Sequence, residues 1–289
     1  MKPLILPALL ASVLTASPAF AQMLLPGALQ TGPDSAGKPL NSSGADSGGG
    51  PAKLRPITQR PPGEETVIGR DLSRNGSEGL ITFQRAPEKT LEVTGLSMSG
   101  EEIAHPGEPC RIDVVAGAPI DAKPMGRPRG LLRYDVEIEA CRFSLEVLDG
   151  AVLVAREPRT CDFVAADCRV DPTGLWGPSG KSIDAAQIKQ MERARGFAET
   201  TMRSNFRALL SSAGKDKVAI KRIAGEQAGF SSEREVTCRN YSGEDVHGFC
   251  ALHLTQGRAL NLQAEFEANA KDRGDAKPTK AALKKKQQP

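Results

Sequence analysis

The chain has 289 residues and a formal net charge of +3, which is room for one large domain or two small ones. Seven of its basic residues and only two acidic ones fall in the last stretch, Lys271 to Pro289. The basic character therefore belongs to a tail without aromatic residues rather than to a face that could read nucleic acid, and that class of partner is set aside.

Lys2 precedes an apolar run from Leu4 to Leu14, and Ala19-Phe20-Ala21 follows. A charged start, a short apolar centre and a small-x-small end describe a secretory signal peptide over residues 1–21. The run is shorter than the roughly 20 apolar residues that a membrane-spanning helix needs, and no other segment reaches that length. No cysteine follows the cleavage point, which argues against a lipid anchor. The expectation is a periplasmic or secreted protein with no transmembrane segment. Residues 22–63 are rich in Gly, Pro and Ser and lack aromatic side chains. Such a segment buries too little apolar surface to offset its ordering entropy, so it reads as a disordered linker.

Residues 66–171 carry short alternating runs. Leu80 to Phe83 and Leu91 to Val93 are weak strands, and Cys110, Ile112 and Val114 share a face. Tyr134, Val136, Ile138 and Ala140 lie opposite Arg133, Asp135, Glu137 and Glu139. Phe143, Leu145 and Val147 lead into Asp149-Gly150, and Val152 and Val154 follow. An Asp-Gly pair between alternating runs predicts a hairpin with a type I′ turn, in which both central residues have positive φ. The segment reads as a small antiparallel sheet, with loops at Pro106 to Pro109 and Pro124 to Gly130.

The cysteines are Cys110, Cys141, Cys161, Cys168, Cys238 and Cys250. An even number in an exported chain reads as disulfides, with fifteen pairings open. Cys110 and Cys141 stand on candidate strands and could bond within the sheet. There is no CxxC pair, and Cys161 and Cys168 are seven apart, spacing that does not suit structural zinc. No metal and no cofactor are expected. Trp176, the single tryptophan, could be an exposed anchor for a partner, since aromatic residues are enriched in binding hot spots. Packing at the junction of the two halves is the reading preferred here.

From Asp184 the period becomes helical. Asp184 and Gln187 have the spacing of a capping box. Ile188, Met191, Ala198, Met202, Phe206 and Leu209 recur at helical spacing on one face, and Gly214 is a stop signal. A second helix is predicted from about Lys217 to Tyr241 and a third from about Val246 to Ala270, with residues 271–289 a disordered, Lys-rich tail. Ser242-Gly243-Glu244-Asp245 between Cys238 and Cys250 is turn chemistry. A bond across that turn would staple two antiparallel helices. The predicted fold class is α+β, a small antiparallel β domain followed by a disulfide-stapled antiparallel three-helix domain over 184–270.

The helical half carries a pattern of spacings. Ala198-Glu199, Met202-Arg203 and Phe206 stand on the first helix, Gln227, Phe230, Arg234-Glu235 and Cys238 on the second, and Cys250, Leu254-Thr255, Arg258 and Leu262 on the third. In this pattern the stretch from Asp184 to Leu262 resembles the lysozyme-inhibitor LprI-type domain, a domain of exported bacterial proteins. The family has a further cysteine early in its first helix, which is missing here; Cys161 or Cys168 could take that place. The resemblance implies a binding protein, with lysozyme as the partner its name suggests. The matched residues read first as structure. Arg234 and Arg258 fall beside apolar positions, and an inward arginine needs a carboxylate or carbonyl partner, for which Glu199 and Glu235 are candidates.

No catalytic constellation emerges. His105 sits in a Pro/Gly loop with no nameable partner, and His247 and His253 are six apart, off a common helical face. No HExxH, nucleophile elbow or phosphate loop is present. A Cys250–histidine pair with His247 or His253 is conceivable, but export favours a disulfide. The expectation is a non-enzymatic envelope binding protein. The alternative is a scaffolding protein of the envelope without inhibitor activity.

Overall fold

The structure, a computed structural model, describes residues 54–88, 90–115, 117–155 and 160–275. The expected signal peptide, most of the expected linker and the tail beyond 275 lie outside these residues. The small open sheet is overturned. Eight strands close into an antiparallel barrel: β1 (Asp71–Arg74), β2 (Glu78–Arg85), β3 (Leu91–Glu102), β5 (Ile120–Pro124), β6 (Arg133–Val136), β7 (Phe143–Leu148), β8 (Ala151–Val154) and β11 (Gly174–Gly177). The ring runs β2-β1-β11-β8-β7-β6-β5-β3, and pairing of β3 with β2 closes it. Closure hides the unpaired edges that an open sheet would expose. Because β11 is a stave of the ring, the β segment reaches past 171.

Strand β3 is twelve residues long. Its first half sits in the ring between β2 and β5. Its second half runs on and pairs with β4 (Pro109–Asp113) and β10 (Cys168–Val170), and β10 pairs with β9 (Cys161–Phe163). Two disulfides stitch this flap. Cys110 bonds Cys168, and Cys141 bonds Cys161. Cys110 and Cys141 thus each bond within the β segment, though not to each other, and neither Cys161 nor Cys168 substitutes for a helical cysteine. Cys238 bonds Cys250 across the turn.

Inside the barrel pack Ile81, Phe83, Leu91, Val93, Leu145, Val147, Val152 and Trp176, all essentially buried. Trp176 is 1% exposed, and its indole Nε1 donates to Pro172 O at 2.9 Å. It is neither a partner anchor nor a junction residue. The sequence reading missed that β11 alternates, turning Trp176 inward and Leu175 outward. Gly79 makes room for the indole. It has φ +57°, and a Cβ there would lie 2.5 Å from Ser97 O and against the Trp176 ring. The Asp149-Gly150 hairpin forms, pairing Leu148 with Ala151. Only Gly150 has positive φ, so the turn is not type I′.

On the outer face of β7, β8 and β11, Leu148, Ala151 and Leu175 form an apolar platform with Leu131. A surface strand would be polar there. These residues are buried because the helices lie on them, and each buried leucine contributes about 1.5–3 kcal/mol. The helices are α1 (Ala185–Ala213), α2 (Lys217–Arg239), the single-turn α3 (Glu244–His247) and α4 (Phe249–Asp275). Asp184 accepts from Ala186 N and Gln187 N, and the Gln187 side chain accepts from Asp184 N, which is the complete capping box. Helix α4 is buried almost all round between Cys250 and Gln263. It is the central helix, with the barrel platform on one side and α1 and α2 on the other. Its helical turns continue through 271–275, residues expected to belong to the tail.

Residues 54–63 are not free linker either. They form a strap across α1 and α4. Asn205, fully buried, accepts from Ile57 N at 2.6 Å and donates to Ile57 O and Ala259 O, while Gln263 accepts from Gln59 N at 2.8 Å. Side-chain amides thus satisfy the backbone of an extended segment as a neighbouring strand would.

Candidate functional site

The motif positions on the three long helices converge. Arg234 of α2 donates from Nη1 to Glu199 Oε1 of α1 at 2.6 Å and to Thr255 Oγ1 of α4 at 2.7 Å. The Thr255 hydroxyl donates to Ala251 O at 2.6 Å, leaving its oxygen to accept from Arg234. One guanidinium therefore ties three helices together through charge-assisted hydrogen bonds. Its Cζ lies over the Phe230 ring, 5.6 Å from the ring centre, and the Arg258 Cζ lies 5.8 Å from the same centre. Arg258 Nε donates to Gln227 Oε1 at 3.1 Å. Glu199, Arg234, Phe230, Arg258 and Gln227 thus form one continuous chain of contacts. Glu235 is not in it. Its carboxylate pairs with Arg239 at 3.0 Å in solvent, so it partners neither arginine as expected. Arg258 has no carboxylate partner at all among the described residues.

Two hollows flank this chain. On one side a trough of about 1260 Å³ opens over α1, α2 and the start of α4. Arg195, Arg203 and Arg239 alternate along it with Glu192, Glu235 and Asp245. At its end Glu244 caps α4, accepting from Cys250 N and Ala251 N at 2.8 Å each. Burial pushes the Glu244 carboxyl above its ordinary range, and the two backbone N–H groups oppose that shift. Tyr241 donates to Pro178 O at 2.6 Å, and burial raises its phenol well above the usual value. Thus the Cys238–Cys250 turn is seated on the barrel end. The second hollow, about 720 Å³, lies between the barrel platform and helices α2 and α4.

The histidines differ in how they are held. His247 Nδ1 accepts from Phe249 N at 3.1 Å, and its Nε2 meets Ser242 O at 2.9 Å, so Nε2 carries the proton. His253 is fully buried and tilted against Phe249 with ring centres 4.2 Å apart. Neither can activate Cys250, whose sulfur is in a disulfide. His105 does have a partner, which the sequence did not reveal. Its Nδ1 lies 3.2 Å from Glu102 Oε2, and Asp167 joins them, the three ligand atoms lying within 4.8 Å of one another. This is the one group among the described residues with metal-ligand chemistry. Asp167 Oδ1 is already engaged by Ala104 N at 3.0 Å, and His105 is exposed, so the trio also serves as a hydrogen-bonded clamp between the β3–β4 loop and the β9–β10 turn.

No family model, curated protein or solved structure matches the chain. The site is therefore read from its own geometry.

Glu199 and Glu235 were the two carboxylates offered for the inward arginines Arg234 and Arg258, and Arg234 takes Glu199. The isolation of Arg258 was not anticipated. It depends on which glutamates α2 and the barrel take for other arginines, and no local spacing encodes that choice.

Proposed function

We propose that the protein is an exported, periplasmic or secreted, binding protein of the cell envelope, and that the trough is where it receives a protein partner. The observation that carries this reading is the Arg234 bridge. It fixes α1, α2 and α4 against one another beneath a rim of alternating charges, a rigid polar surface of the kind that selects a partner by charge complementarity. Three disulfides are compatible with an oxidising compartment. No helix among the described residues is long and apolar enough to cross a membrane. Lysozyme is the first partner to test, on the strength of the motif spacing. Purified oxidised protein should slow lysozyme turnover, less so as salt rises. Reversing two rim charges, Glu192→Lys with Asp245→Lys, should weaken the effect without unfolding the protein. Unchanged turnover with lysozymes of several classes rules out this partner, and a pull-down from periplasmic extract then identifies the one that occupies the trough.

A further inference from the structure

We propose that the hollow between the barrel platform and helices α2 and α4 is a binding site for a small monocarboxylate with an apolar body, its charged head received by Arg258. Three observations converge there. First, the arginines of the hollow are matched to carboxylates with one exception. Arg129 holds Glu146 at 2.8 Å, Arg222 holds Glu226 and Glu265 at 2.6 Å each, and Arg234 holds Glu199. Arg258 has only the neutral Gln227 at Nε and the face of Phe230, and its Nη2 is buried without a partner. Arg258 is partly buried, and burial lowers its proton affinity; Glu226 and Glu265, beyond ion-pair distance, oppose that shift only in part. An incoming carboxylate would relieve the cost of that burial.

Second, Asn261 lies three residues on along α4, on the same side, and its buried Oδ1 is also unpartnered. The two ends of a carboxamide are nearly isosteric. Turned over, the Asn261 amide would offer a donor in the hollow that Arg258 also lines, giving two donors for one carboxylate. Third, part of the wall is apolar. Leu148 and Leu153 come from the barrel, Phe230 and Leu254 from the helices. The volume of about 720 Å³ falls within the span of small-molecule sites. Glu226, Glu233 and Glu265 also line the hollow. They disfavour a dianion such as a phosphate ester and leave a single negative charge as the better match.

This site shares only Arg234 with the lining of the trough and does not depend on a protein partner. Calorimetric titration of the full oxidised chain with octanoate, octanol and octyl phosphate tests it. The expected result is octanoate binding at least about tenfold tighter than either analogue, and loss of that preference in Arg258→Gln. Equal affinity for octanoate and octanol, no binding of octanoate, or Arg258→Gln binding like the parent protein overturns the proposal. Should Arg258→Gln not fold, Leu153→Trp, which fills the hollow from the barrel side, decides. It should abolish octanoate binding, and unchanged affinity refutes the site.

Discussion

The burial of His253 makes a sharp prediction for stability against pH. Burial drives its imidazole down from 6.5 to about 4, with Asp149 and the Gln256 hydrogen bond opposing the shift only in part. Its Nδ1 is buried without a partner. The folded pKa lies below the unfolded one, so between these values the unfolded chain binds a proton that the folded chain refuses. Stability is therefore lost as pH falls through 6.5 and levels off below the folded value. At pH 5 the unfolded imidazole is almost wholly protonated and the folded one about one-tenth so, a loss of about 2 kcal/mol relative to pH 7. Glu244, raised by burial, acts in the opposite sense, its cost growing as pH rises through its folded pKa. The assay must separate the two. Urea unfolding of the parent protein and of His253→Gln should be measured at half-unit steps from pH 7 to 4.5. Glu244 is common to both, so it cancels in the difference. That difference should move by about 2 kcal/mol across the range, in favour of the variant at low pH. Parallel curves, within about 0.5 kcal/mol, would falsify the assignment of a neutral, desolvated imidazole.

Two further outcomes follow from the cross-links and the strap. In Asn205→Ala the amides of Ile57 and Gln59 should exchange with solvent faster, and the protein should lose about 1–3 kcal/mol for the unsatisfied backbone groups; unchanged exchange would mean the strap is held elsewhere. The disulfides close segments separated by 58, 20 and 12 positions. Loop-closure entropy then ranks their removal at about 4.2, 3.3 and 2.8 kcal/mol. Paired Cys→Ala variants, compared by urea midpoints, should follow that order, with Cys110–Cys168 the most costly.

The helices were legible because their signals are local. The capping box at Asp184 and the apolar recurrence from Ala198 to Leu209 need no knowledge of the rest of the chain. The barrel was not. Strands β9, β10 and β11 have only three or four residues each, too few for alternation to register. On β7 and β8 the alternation and the hairpin were readable, but packing of the outer residues Leu148, Ala151 and Leu153 under the helices was not. The strap was misread because Pro and Gly composition signals little apolar burial. Here backbone N–H groups meeting Asn205 and Gln263, more than 140 positions away, hold the segment. In the candidate site Arg234 was legible as an inward cation. Arg258 looked the same in sequence, and what distinguishes it is the absence of a long-range partner.

None of the three disulfides runs from the barrel and its flap to the helices. Oxidation therefore hardens two bodies while leaving the seam between them uncrossed by any covalent bridge except the main chain. That seam is closed by Leu131, Leu148, Ala151 and Leu175 against α4 and its neighbours, and both His253 and Arg258 sit along it. The molecule can thus be as rugged as a cross-linked secreted protein in each part, yet yield at its joint to acid or to a solute that wedges in, without a sulfur atom changing partner.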